Sequence, residues 1–228
     1  MNATARFARL ELASAKVSAR QMMILAVLIT VMAWMSGGKE SLAFAAVIPL
    51  LPVFFVSYPF LADERGHHDL LYATLPLQRS TVVWGRHLYF VALEVCAFLI
   101  GVAASTAMSL FVGHRISLTI TVLVALASTT VATLMLAVQL PVLFRLGFTK
   151  SRWIVMLPMM IGLSPLLLTQ LPGVRERLEG TWSQLFTPDA LLSPDLLLTT
   201  AAALVAAFVV LWTASALASR SLYARRQF

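Results

Sequence analysis

Long apolar runs separated by short polar stretches dominate the chain. They lie near residues 21–37, 42–62, 88–112, 116–144, 153–171 and 196–218. About 20 helical residues, each rising about 1.5 Å, cross a hydrocarbon layer about 30 Å thick, and the runs approach or exceed that length. The apolar positions are continuous rather than alternating, so they do not read as strands of a membrane β-barrel. Lipid offers no partners to backbone N–H and C=O groups, which leaves helices. The pattern predicts an all-α polytopic membrane protein with six transmembrane helices. A single transmembrane domain over residues 1–228 suffices, because no internal repeat or low-complexity linker divides it.

The polar stretches add detail. Residues 3–20 space Phe7, Leu10, Ala13 and Val17 three or four apart, with Arg6, Arg9, Lys16 and Arg20 mostly on other faces. This predicts an amphipathic interfacial helix over residues 1–20, ahead of the first span. Pro49, Pro52 and Pro59 each remove a backbone donor from the second span and predict that it is kinked. The longest polar insertion runs from Asp63 to His87. Its middle, His68 to Thr74, suits a short helix stopped by Pro76, after which the chain restarts as a helix that runs into the third span. Gly101, Ser105 and Ser109 recur every four residues in that span, and Ala125, Thr129, Thr133 and Ala137 do so in the fourth. Such stripes let helices approach closely in lipid; the alternative is that they line a substrate route. Pro158, Gly162 and Pro165 predict a bent or broken outer half of the fifth span. Residues 172–195 hold too many charges to span and too many apolar side chains for a free loop, and they predict external re-entrant or interfacial helices.

Composition agrees: 60% of residues are hydrophobic and 12% are charged. The net charge of +7 could suggest nucleic acid, but its distribution favours a membrane. With the N-terminus in the cytoplasm, Arg6, Arg9, Lys16, Arg20, Arg65, Arg79, Arg86, Arg145, Lys150, Arg152, Arg220, Arg225 and Arg226 lie inside. Only Lys39, Arg115, Arg175 and Arg177 lie outside. This is the positive-inside bias of an even number of spans with both termini cytoplasmic. Anionic membrane lipids, not nucleic acid, are the expected partners of the basic excess. The charged start lacks the form of a cleavable signal peptide.

Candidate chemistry is sparse. Gly147–Ser151 (GFTKS) resembles the end of a phosphate-binding loop, but Thr149 replaces the glycine before Lys150 and no strand precedes it. His67, His68 and Asp69 are potential metal ligands, yet consecutive helical residues diverge by about 100° and suit a polar interfacial turn better. Ser164 could only be a membrane-depth nucleophile with a basic partner, and the histidines all lie at predicted span ends. Cys96 is the single cysteine and reads as a small buried residue. Glu94 is more informative, lying about 10 Å beyond His87 along the third span. A carboxylate at that depth costs a few kcal/mol unless it faces protein or a water-filled cavity. It is expected to pair with a cation near the cytoplasmic end, or else to serve substrate passage or proton binding. Gln139 is a weaker case of the same kind, and Thr129 and Thr133 are the other intramembrane polar candidates.

The insertion carries Asp63, Glu64 and Arg65, then Asp69, Leu70 and Leu71, then Leu75, Pro76 and Arg79, and finally Gly85 and Arg86. With the six-span layout, it resembles the permease subunits of ABC-2-type exporters. There an acidic-basic start leads through a cytoplasmic coupling helix to a Leu-Pro-x-x-Arg turn. Gln78 departs from the serine often found in that turn, and glutamine caps a helix less well. The amphipathic start is similar to the family's connecting helix, and residues 172–195 to its external re-entrant helices.

The resemblance implies a transmembrane permease subunit of an ATP-driven exporter in the bacterial cytoplasmic (inner) membrane. It would pair with a second permease chain, identical or not, and with two separate ABC ATPase subunits. The chain itself would carry no cofactor and would not be an enzyme; ATP and magnesium would sit on the ATPases. Residues 63–79 would form the coupling segment. Arg65, Asp69 and Arg79 would make polar contacts, and Leu70, Leu71 and Leu75 would pack into the ATPase. The substrate class expected of an apolar route is an amphiphile such as a peptide, lipid or drug. The alternative is a non-transporting accessory or sensor subunit of an ATPase complex.

Overall fold

A computed structural model describes residues 42–66, 78–113, 117–168 and 194–224. The helices in them are α1 (Leu42–Val47), α2 (Leu51–Phe55), α3 (Ser57–Gly66), α4 (Arg79–Val112), α5 (Leu118–Leu168) and α6 (Pro194–Ala224). No strand occurs among the described residues. Among the described residues four stretches are long and apolar enough to cross a membrane: Leu42–Gly66, Ser80–Phe111, Leu118–Leu157 and Asp195–Ala224. The interfacial helix over 1–20, the first predicted span, the coupling helix within 67–77 and nearly all of 172–195 lie outside the described residues.

Prolines break the second span where expected. A 3₁₀ turn, Ile48–Leu50, carries Pro49 in its first turn and separates α1 from α2, which carries Pro52 in its own first turn. Proline lacks the N–H that would continue an α-helical ladder, so the segment proceeds in short pieces. The third span packs against this break. A Cβ on Gly101 would sit 3.2 Å from both the Phe44 carbonyl oxygen and the Pro49 ring. Ser105, Ser109, Ala125, Thr129 and Thr133 are also buried. The small-residue stripes therefore face protein and permit close helix approach. Ser128 adds an interhelical hydrogen bond to the Ala46 carbonyl.

The start of α4 follows the sequence. Gln78 has extended backbone angles and makes no side-chain cap, so the helix begins with the backbone bond from Thr81 N–H to the Gln78 carbonyl. Its other end stops at Gly113, whose φ of 76° is left-handed.

The expected break in the outer half of the fifth span is absent. Helical backbone continues through Pro158, Gly162 and Pro165 to Leu168, and the departure from helical angles lies at Gly147 (φ 73°, ψ 178°). The chain reverses there. Gln139 Nε2 donates to the Val155 carbonyl at 2.7 Å, although 16 residues of straight helix would separate the two by about 24 Å. Val155 joins Leu136, Leu140 and Leu143 in one buried cluster. The predicted fourth and fifth spans are thus two limbs of a helical hairpin pivoting on one glycine.

Polar and apolar positions are distributed as lipid requires. Arg86, His87, Glu94, Thr133 and Gln139 are buried, while Leu99, Ile100, Leu110, Phe111, Leu134 and Val210 are exposed. Cys96 departs from its expected burial and lies on the exposed face of α4. Position 96 falls outward because the helix turns Glu94 and Ala97 inward.

Candidate functional site

Two polar clusters occupy the bundle, one at an end and one within it. At the end, α3 finishes, α4 begins, α5 reverses and α6 finishes. Phe60, Asp63, Glu64, Arg86, Phe144, Gly147 and Tyr223 line a common small cavity there. Arg65, Arg79, Arg145, Lys150, Arg152 and Arg220 belong to the same helix ends, so this is the basic end of the bundle.

The three consecutive charges of the motif take different positions. Asp63 is buried, Glu64 half-buried and Arg65 exposed. Asp63 Oδ2 accepts from Arg86 Nη2 at 2.7 Å, with both side chains almost wholly buried. The Arg86 guanidinium also lies over the Phe60 ring at 4.5 Å and near the Phe144 ring at 5.9 Å. Delocalised charge and a flat shape let arginine satisfy a carboxylate and aromatic faces together. Phe144 in turn packs edge-on to Phe60 and Tyr223, with centroids 5.1 and 5.4 Å away. Arg86 of α4 therefore meets Phe60 and Asp63 of α3 and Phe144 of α5, and Phe144 carries the contact on to Tyr223 of α6.

Glu64 reaches the α5 reversal. Its carboxylate accepts the Thr149 backbone N–H at 3.1 Å and the Thr149 hydroxyl at 2.5 Å. The limb after Gly147 begins with N–H groups that have no intrahelical acceptor, and a carboxylate there also meets the positive end of the helix dipole. The GFTKS stretch, unsuited to holding nucleotide phosphate, holds a carboxylate of its own chain instead. Ser151 donates to the Gly147 carbonyl and closes the first turn.

The inner cluster centres on Glu94, which is fully buried. Among the described residues no cation pairs with it, contrary to expectation; its partners there are Thr133, with Oγ1 at 3.0 and 3.1 Å, and Trp212, whose Nε1 donates at 2.8 Å. Arg86, two turns away on α4, is committed to Asp63 and the aromatic rings. His87 donates from Nδ1 to the Val83 carbonyl at 2.9 Å and places Nε2 3.4 Å from the Ser215 hydroxyl. Its ring stacks on Phe144 and meets Trp212 edge-on. An aromatic column thus connects the two clusters.

The other expected residues divide. Thr133 belongs to the Glu94 cluster. Thr129 lines an open groove with Val95, Phe98, Leu126, Val205 and Phe208, while its hydroxyl back-bonds to the Ala125 carbonyl. Gln139 ties the hairpin limbs, leaving its Oε1 unpartnered. Asp69, Leu70, Leu71, Leu75 and Pro76 lie outside the described residues, and Arg79 is placed as the first residue of α4. No cluster of metal-ligating side chains occurs among the described residues. Trp212, Thr149 and His87 were not singled out by the sequence as site residues. Trp212 had a signal, because an indole N–H inside an apolar span needs an acceptor.

Apolar helices outside, with ion-paired and hydrogen-bonded side chains inside, define a multi-pass membrane protein. A family model described as ABC-2 family transporter protein matches residues 11–224. The chain belongs to that family, and it is a permease, the membrane component of an ABC transporter rather than a catalytic one. No curated protein and no solved structure matches it.

Proposed function

We propose that this permease is the membrane-spanning subunit of an ATP-driven exporter, moved by two separate ATPase chains that grip residues 63–79. ATP and magnesium are handled on those chains. A second permease, identical or different, completes the route across the bacterial cytoplasmic membrane. The basic end faces the cytoplasm, with both termini on that side, in keeping with the positive-inside bias. The substrate is an amphiphile such as a peptide, lipid or drug, which suits the apolar groove beside Thr129.

The observation that carries this reading is the Asp63–Arg86 pair. The chain leaves α3 at Gly66, three residues after Asp63, and re-enters helix at Arg79, about two turns before Arg86. A push on that insertion cannot be absorbed by splaying the two helices apart, because the buried pair and its aromatic cage hold them together. The displacement passes into the spans, and through Glu64 into the α5 hairpin. Packed elements of this kind shift as units, which turns a surface displacement into a rearrangement of spans.

Copurification in mild detergent with a P-loop ATPase co-expressed from a neighbouring reading frame tests the assembly. Retention of the ATPase, with hydrolysis stimulated by a transported amphiphile, is the expected result. A chain that never retains an ATPase is not this subunit, and retention without stimulation by any transported compound marks an accessory or sensor role. Charge reversal at Glu64 or Arg79 lowers coupling more than membrane insertion; unchanged transport in both variants rejects the coupling segment.

A further inference from the structure

The Thr133 hydroxyl has more acceptors than protons. Its oxygen lies 2.9 Å from the Thr129 carbonyl oxygen and 3.0 and 3.1 Å from the two Glu94 oxygens. A hydroxyl donates one hydrogen bond only. Elsewhere in these helices threonines donate back to a carbonyl four residues earlier, as Thr106, Thr129 and Thr130 do at 2.8 to 2.9 Å. If Thr133 does the same, as its matching geometry indicates, its oxygen faces Glu94 as an acceptor. Two acceptors in contact need a proton between them, and the carboxyl is the group able to carry one.

We infer that Glu94 is a proton-binding site, its carboxyl donating to Thr133 Oγ1 while its second oxygen accepts from Trp212 Nε1. This assignment closes the network. Oε1–H donates to Thr133, Thr133 donates to Thr129, and Oε2 accepts the indole N–H, so the polar groups of the cluster are satisfied without a buried ion. A buried carboxylate would instead require a cation or several donors to offset its lost hydration. No cation is supplied by the described residues. Facing it from α4 itself are His87, about 10 Å away along the helix, and Arg86, which is paired to Asp63. On α5 the nearest charged side chain in sequence is Arg145, 12 residues past Thr133, and on α6 Arg220 is exposed and eight residues past Trp212. Asp63 on α3 is turned to Arg86, and Glu64 to Thr149.

The site joins three helices, and its proton bears on how they part. Trp212 is the donor that α6 contributes; when α6 moves away, the carboxyl loses that bond. A protonated acid keeps its bond to Thr133 and survives the separation, whereas an ion would be left with too few donors. Proton occupancy of Glu94 therefore favours separation of α6 from α4 and α5, and Trp212 is the positioning residue that ties the two.

Infrared difference spectroscopy of the purified chain in detergent, with no ATPase present, tests this independently of the transport reading. At neutral pH the wild-type chain should show a protonated-carboxyl band that shifts on labelling the glutamate side-chain carboxyl with carbon-13 and is lost in Glu94→Gln. Thr133→Val and Trp212→Phe should each move that band, since each removes one partner. A wild-type chain with no label-sensitive protonated-carboxyl band at neutral pH, or a band unmoved by Thr133→Val, overturns the proposal. Glu94→Gln, which places a donor and an acceptor where the acid has them, should keep the wild-type melting temperature, and a collapse of stability like that of Glu94→Ala would equally refute it.

Discussion

The Thr149 backbone N–H and hydroxyl both donate to the Glu64 carboxylate, although the two residues are 85 apart in the chain. A negative charge at the end of α3 thus caps the second limb of the α5 hairpin. The arrangement makes Glu64 more than a surface charge at the start of the polar insertion. A half-buried carboxylate that caps a helix in another element ties the end of α3 directly to the second limb of the hairpin.

Glu64→Ala is expected to lower thermal stability by about 1 to 2 kcal/mol, the range for losing a charged cap at a helix N-terminus. Thr149→Val removes the hydroxyl but keeps the backbone donor, so its cost is smaller. The double variant should cost less than the two single losses added, because both changes act on one interaction. Melting of the detergent-purified variants gives the comparison, and strictly additive losses would show that the two side chains act separately.

Breaking the Asp63–Arg86 pair should cost more. Arg86→Leu removes the arginine from a buried ion pair, and losses of about 3 to 5 kcal/mol are usual when one partner of such a pair is removed. Asp63→Asn combined with Arg86→Leu removes the carboxylate charge as well and recovers part of that loss. The yield of monodisperse protein and its melting temperature follow both variants. A double variant no better than Arg86→Leu would mean that the arginine's packing on Phe60 and Phe144, rather than its charge, holds α3 to α4.

The difference between what the sequence conveyed and what the fold adds is one of range. Local signals were legible: prolines marked the interrupted second span, the Gly101 stripe marked close packing, and Gln78 marked a weak start to α4. Pairings between distant residues were not. Nothing near Glu94 in the sequence points to Trp212, 118 residues later; the burial cost of a carboxylate at that depth points only to some partner, such as a cation near the cytoplasmic end. The break expected in the fifth span is absent for another reason. Pro158 and Pro165 are local breakers, but helices in lipid tolerate proline when neighbouring groups satisfy the freed carbonyls. Gly147 enters the sequence reading only as the start of GFTKS, and its role in the reversal depends on backbone angles that sequence does not display.

Gly147→Ala tests the reversal directly. At φ 73° and ψ 178° the backbone lies where essentially only glycine is found, and other residues cost about 1 to 3 kcal/mol. The loss should appear as lower thermal stability together with weaker protection of the Thr149 amide from hydrogen exchange, because the misdirected limb no longer meets Glu64. An alanine variant with wild-type melting and exchange would show that the hairpin does not depend on this conformation.

Gly101 offers a graded test of how closely the interrupted second span approaches α4. Its added Cβ would contact the Phe44 carbonyl and the Pro49 ring at 3.2 Å, tighter than ordinary van der Waals contact. Pro49 sits in a short 3₁₀ turn, so a small displacement can accommodate one methyl group, and Gly101→Ala should cost under about 1 kcal/mol. Gly101→Leu demands space that close packing does not have, and overfilling of this kind costs about 1 to 3 kcal/mol. Melting temperatures should therefore fall in the order glycine, alanine, leucine. Equal stability of the leucine variant would place the second span farther from α4 than the packing of Phe44, Pro49 and Gly101 allows.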